Sequence, residues 1–171
     1  MSDQHPPRDD ERHLTVDDLS GAQVGHIAFS NVASILAEEC TMLVPTAAHR
    51  RRGTAGLTRS VVELRRKLNE LLARAITTDL LDGADWPDIA KALGMDPDLV
   101  SFNYEHLDWR DIGDDPRAVW EAFRPSCVSQ LHDSCSDDPA ETARQLDRWY
   151  RDHADPREAA PIPAQAVTAG L

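Results

Sequence analysis

The sequence predicts an all-α protein, and three observations carry that prediction. Apolar residues between positions 61 and 76 recur at three- and four-residue intervals over more than four turns, which is the period of a helix with one apolar face. No segment shows the strict alternation of a half-buried strand over a useful length. Aspartate followed by proline, typical of a capped helix start, stands at the predicted start of three helices. The pairs are Asp96–Pro97, Asp115–Pro116 and Asp138–Pro139.

The chain has 171 residues, enough for one domain with a core, and we expect that helical domain over residues 14–155. Residues 1–13 are expected to form a flexible acidic tail, and residues 156–171 a flexible tail rich in proline and alanine. The N-terminus lacks the basic-then-apolar pattern of a signal peptide, and no apolar run approaches the roughly 20 residues that span a bilayer. We therefore expect a cytoplasmic protein that does not contact a membrane.

The first convincing helical pattern begins after Ser30, and Pro45 should end it. The next helix is the longest, with Thr58 or Ser60 as its predicted cap. Its apolar stripe consists of Val61, Leu64, Leu68, Leu71, Leu72, Ala75 and Ile76.

Residues 49–76 carry a net charge of +6, from eight bases and two acids, in a protein whose net charge is −12. We expect the bases of the long helix to form a solvated face beside the apolar stripe; binding of phosphates or of an acidic partner is the alternative. The stripe could also pair two chains into a homodimer. The bases of the long helix are Arg59, Arg65, Arg66, Lys67 and Arg74.

Two C-terminal helices are expected to pack on the rest of the domain or to contact a partner. The first follows Asp115–Pro116 and should end at Pro125. The second follows Asp138–Pro139. Their predicted buried residues are Val119, Trp120 and Phe123 in the first, and Ala143, Leu146, Trp149 and Tyr150 in the second.

The segment from Gly83 to Glu105 predicts two short helices joined by a turn. Asp85 is placed to cap the first helix and Asp96 the second. Gly94 lies at the turn, where a positive φ costs little without a Cβ. Leu99 and Val100 are expected to anchor the second helix on the first. The predicted structural residues of the unit are Ile89, Ala90, Leu93, Gly94 and Val100.

These residues resemble the helix-turn-helix of bacterial transcriptional regulators and of sigma-factor region four, over about 25 residues of the chain. The resemblance implies DNA binding and control of transcription or of a mobile element, with base contacts from Ser101 and Phe102. The backbone contacts would come from Arg50, Arg51, Arg52, Arg59, Arg65, Arg66 and Lys67.

The predicted recognition helix begins Asp-Pro-Asp, and its exposed positions carry neither arginine nor lysine. Guanine contacts normally use those residues, and phosphate contacts need donors. The alternative function is therefore an acidic module that binds another protein without contacting DNA.

An enzyme is the third hypothesis, since no catalytic motif occurs in the sequence. Cys127, His132 and Cys135 lack the paired spacing of zinc ligands, so neither a metal nor a cofactor is expected. The odd number of cysteines, with Cys40 as the third, favours reduced thiols.

Overall fold

The computed structural model describes residues 14–43, 55–127, 136–153 and 167–168. Within these ranges the chain forms α-helices and short 3₁₀ turns without a strand, which confirms the all-α prediction. None of the described helices is both long enough and apolar enough to cross a membrane. The helices are α1 (Gly21–Leu43), α2 (Gly56–Leu81), α3 (Trp86–Leu93), α4 (Pro97–Tyr104), α5 (Pro116–Cys127) and α6 (Pro139–His153).

Helix α1 begins ten residues before the predicted start, at Gly21. Glycine disfavours helix, yet both glycines of the first turns stand where another chain segment comes too close for a side chain. A Cβ on Gly21 would lie 2.3 Å from the carbonyl oxygen of Gly113, and one on Gly25 would lie 2.7 Å from Oγ1 of Thr78. Tertiary contact therefore overrides the local propensity.

Helix α2 also begins earlier than expected. The residue before it, Ala55, has a φ of 60° and provides no side-chain cap, so the prediction of Thr58 or Ser60 as the cap is wrong. The earlier start brings Leu57 into the helix and lengthens the apolar stripe by one turn.

The two aspartate–proline starts near the C-terminus are confirmed. Oδ1 of Asp115 accepts hydrogen bonds from the backbone of Arg117 and Ala118 at 3.0 and 3.1 Å. Oδ1 of Asp138 accepts one from the backbone of Ala140 at 3.0 Å. Helix α5 continues two residues past the predicted end at Pro125, a difference within the range over which helix ends fray.

Two apolar clusters hold the described helices together. The larger one joins α1 to α5 and α6, and Trp120 is its largest fully buried side chain. Of the residues predicted to be buried in α6, Tyr150 is 38% exposed, so that prediction is wrong for Tyr150. The smaller cluster joins the C-terminal end of α2 to α3 and α4.

Buried polar side chains cross the contact between α1 and α2. Lys67 is 4% exposed and pairs with Glu39 of α1. Arg74 is 3% exposed, and its guanidinium donates to the carbonyl oxygens of Ala28 and Phe123 at 3.3 and 3.2 Å. The prediction that Lys67 and Arg74 belong to a solvated face is therefore wrong. Glu39, which is distant in sequence, neutralises Lys67, whereas the carboxylate that pairs with Arg74 at 3.2 Å belongs to Glu70, four residues earlier on the same helix.

The predicted C-terminal tail contacts α6 at Val167 and Thr168. The carboxylate of Asp147 accepts hydrogen bonds from the backbone of Val167 at 2.6 Å and from the hydroxyl of Thr168 at 2.6 Å. These two residues are thus bound to the helical domain.

Candidate interaction surface on the α3–α4 unit

Helices α3 and α4 form around a tight turn, as the sequence predicts. Oδ1 of Asp85 accepts a hydrogen bond from the backbone of Asp88 at 2.9 Å, and Oδ1 of Asp96 accepts one from Asp98 at 3.0 Å. Gly94 ends α3 with a φ of 66°. Each aspartate satisfies donors that a helix start leaves without an internal partner.

The predicted packing of the unit is confirmed except at Leu99. Ala90 is 1% exposed and Val100 is fully buried, whereas Leu93 packs against the cluster while half-buried. Leu99 is 50% exposed and does not anchor α4 on α3. Val100 and Tyr104, four residues apart and therefore on one side of α4, belong to the buried cluster instead.

The unit is fixed to the C-terminal half of α2. Ile76 and Leu80 are 2% and 1% exposed and lie in the same cluster as Ala90. The hydroxyl of Thr77 donates to the carbonyl oxygen of Leu107 at 3.0 Å, which ties the turn after α4 to α2. The outer side of α4 is thereby held in a fixed position relative to the long helix.

That outer side of α4 is apolar and acidic. Phe102 is 77% exposed, Leu99 is 50% exposed, and Met95, in the turn before the helix, is 38% exposed. Leu99 and Phe102 are three residues apart and therefore lie on one side of α4. Asp98 and Glu105 are exposed beside them. Ser101, the other predicted base-contacting residue, is half-buried.

Acidic side chains continue around the unit. The exposed carboxylates next to it along the chain are Asp82, Asp85, Asp88, Asp96 and Asp111. Arg110 does not offset them, because its guanidinium pairs with Asp108 and lowers the pKa of that carboxyl group. The surface around α4 is consequently negative at neutral pH, which opposes the approach of phosphates.

The predicted DNA-backbone residues are only partly available. Lys67 is buried against Glu39. Arg66 pairs with Glu63 at 2.6 Å and lowers the pKa of that carboxyl group. Arg59 and Arg65 are exposed. The remaining candidates, Arg50, Arg51 and Arg52, lie outside the described residues.

Arg65 precedes Ile76 by eleven residues, so both lie on the same side of α2, about 16 Å apart along its axis. Ile76 packs under the α3–α4 unit. An exposed guanidinium is therefore present on the side of α2 that carries the α3–α4 unit, about three turns away.

A groove of about 1050 Å³ lies between the C-terminal end of α1, the N-terminal end of α2 and α6. Its carboxylates are already engaged. Nε1 of Trp149 donates to Glu38 at 2.8 Å, Lys67 pairs with Glu39, and Arg66 pairs with Glu63. The carboxylates of the groove are therefore already occupied by partners within the chain.

Among the described residues, no three histidine, cysteine or acidic side chains are grouped as metal ligands would be. Cys40 is exposed. The side chain of Cys127, together with His132 and Cys135, lies outside the described part of the chain.

Comparison with protein-family models, with curated proteins and with solved structures finds no match. The resemblance to transcriptional regulators thus stays a prediction from the sequence of the α3–α4 unit. The arguments that follow rest on the geometry and charge of this chain alone.

Proposed function

We propose that this chain is a cytoplasmic regulatory protein whose α4 binds a partner protein instead of entering the major groove of DNA. The observation that carries the proposal is the outer side of α4, where Phe102 and Leu99 are 77% and 50% exposed beside Asp98 and Glu105. Aromatic residues that are exposed on a rigid helix are typical of the few positions that dominate a protein interface.

The chemistry of this surface defines the partner. An apolar pocket would take the side chains of Phe102 and Leu99, because burying each of them releases water from apolar surface. Lysine or arginine side chains at the rim of that pocket would complement Asp98 and Glu105. The partner is therefore a protein with an apolar groove and a basic rim.

Direct DNA binding is the second candidate, and one observation favours it. The caps and the turn hold α4 as a short rigid helix on the surface, the form in which a recognition helix enters the major groove. The side chains oppose it, because α4 carries no cation and its outer side is acidic. Affinity would have to come from the exposed Lys91 of α3, from Arg59 and Arg65 of α2, and from bases outside the described residues.

Two measurements on the same protein preparations separate these functions. The first is affinity capture from the cells that produce the protein, followed by titration of the captured partner. The second is fluorescence anisotropy with a duplex of about 30 base pairs at several salt concentrations. Both use the wild type, Phe102→Ala and the control Val62→Ala, whose side chain is 62% exposed on α2. The DNA titration also includes Arg65→Ala.

The proposal predicts a partner whose affinity falls by about 30-fold or more in Phe102→Ala and is unchanged in Val62→Ala. It also predicts no DNA binding by the wild type at low salt. The opposite pattern would overturn it. The logarithm of the DNA affinity would then fall linearly with the logarithm of salt concentration, and Arg65→Ala would weaken DNA binding. No captured partner would depend on Phe102.

A further inference from the structure

Helix α2 carries an apolar repeat that its own fold leaves partly exposed. Six apolar residues alternate at spacings of four and three, the pattern by which one helix packs along another. The early start of α2 at Gly56 adds the first member and completes this pattern. We call these residues the α2 seam: Leu57, Val61, Leu64, Leu68, Leu71 and Ala75.

The seam is open because α1 packs against a different side of α2. The contacts to α1 are made by Lys67 and Arg74, together with Thr78 beside Gly25. Within the seam, Leu57, Val61 and Leu68 are 51%, 60% and 55% exposed. Leu64, Leu71 and Ala75 are half-buried between and beyond them. An apolar surface that is exposed to this extent on one side of a helix is typical of an interaction surface.

Helix α1 widens this apolar face. Phe29, Leu36 and Leu43 recur at intervals of seven residues and are half-buried. The contacts Glu39–Lys67 and Gly25–Thr78 show that α1 and α2 run antiparallel. With that pairing, helical spacing places Phe29 and Leu36 on the same side of the α1–α2 pair as the seam, and α5 and α6 on the other.

The dimensions of the face suit a stable interface. The seam extends over 19 residues, about 27 Å along the axis. Two helices packed at the usual 8–10 Å give a width of about 20 Å, and therefore roughly 500 Å² of face on each copy. Two such faces together give roughly 1,000 Å², the lower bound for a specific interface.

The distribution of charge bears on which partner can bind to the seam. The chain as a whole carries −12, so most contacts between two copies would oppose acid to acid. Helix α2 is free of that excess, with five bases and three acids, and the seam itself is uncharged. Because it repeats at spacings of four and three, the seam also has the periodicity needed to pack against an identical helix.

We propose that a second copy of this chain occupies the seam, so that two α1–α2 pairs form a four-helix dimer through identical surfaces. The pairing leaves α4 of each copy outside the interface. The inference is thus independent of the function proposed for α4, and either one can fail without the other.

Neighbouring valines on α2 provide a matched test. Val61 lies in the seam, whereas Val62 is turned about 100° away from it. Their exposed fractions are 60% and 62%, so the two side chains have nearly the same surroundings in a single chain. Val61→Glu and Val62→Glu therefore introduce the same charge at equally exposed positions, and Leu68→Glu repeats the seam substitution one heptad further on.

The experiment is sedimentation equilibrium of the full chain between about 1 and 100 µM, with helix content checked by circular dichroism. The wild type and Val62→Glu should be dimers. Val61→Glu and Leu68→Glu should be monomers with unchanged helix content, the dimer dissociation constant rising by about 100-fold or more. Two buried carboxylates per dimer, one from each copy, account for that size.

Two results would overturn the proposal. One is a wild-type protein that is monomeric at 100 µM. The other is a dimer that Val61→Glu and Leu68→Glu leave intact, since the interface would then lie elsewhere on the chain.

Discussion

Gly25 determines how closely α1 can approach α2. A Cβ at this position would lie 2.7 Å from Oγ1 of Thr78 and 3.2 Å from its Cβ and Cγ2. Thr78 is 3% exposed, so its side chain has little room to move away. The substitution Gly25→Ala therefore introduces one methyl group into the contact between α1 and α2, which has no space for it.

Two opposing terms set the magnitude. Alanine favours a helix interior over glycine by about 1 kcal/mol. Overpacking a well-filled interior costs about 1–3 kcal/mol. We expect Gly25→Ala to lower the free energy of unfolding by about 1 kcal/mol, which corresponds to about 2–4 °C in Tm for a chain of this size.

A double-mutant cycle isolates the contact. Oγ1 of Thr78 has no hydrogen-bond partner among the described residues, so Thr78→Ala removes Oγ1 and Cγ2 without breaking a hydrogen bond and leaves only Cβ, at 3.2 Å. In that background Gly25→Ala should raise the free energy of unfolding by up to about 1 kcal/mol, the propensity gain. Urea denaturation of the four proteins measures the coupling. Stabilisation by Gly25→Ala in the wild-type background would refute the close approach.

Three further predictions concern other parts of the fold. Ala90→Leu should lower the free energy of unfolding by about 1–3 kcal/mol, because Ala90 is 1% exposed between α2 and α4; an unchanged urea midpoint would contradict this. Lys67→Ala should lower the free energy of unfolding by about 1–3 kcal/mol, since it leaves Glu39 unpaired where α1 packs on α2. Adding Glu39→Gln should recover part of that loss in the same assay. Phe102→Ala should leave the Tm within about 1–2 °C of the wild type, because the side chain is 77% exposed; a larger drop in thermal unfolding would mean that Phe102 supports the fold.

Local chemistry in the sequence determined the starts and turns of several helices. Asp85, Asp96 and Asp115 each accept backbone hydrogen bonds at the helix starts that they predict. Gly94 adopts the positive φ that its place in the turn predicts. These interactions join atoms within three residues of one another. The residue types and their order are therefore sufficient to predict them.

Only the tertiary structure decided which side of each helix is covered. Periodicity shows that α2 has an apolar stripe, but Leu68 is exposed while Lys67 is buried, because Glu39, 28 residues earlier, pairs with the lysine. The start of α1 depends equally on a distant neighbour, since Gly21 is required by the carbonyl oxygen of Gly113. A helix repeats the same faces whatever packs on it, so the sequence of one element cannot specify which partner covers which face.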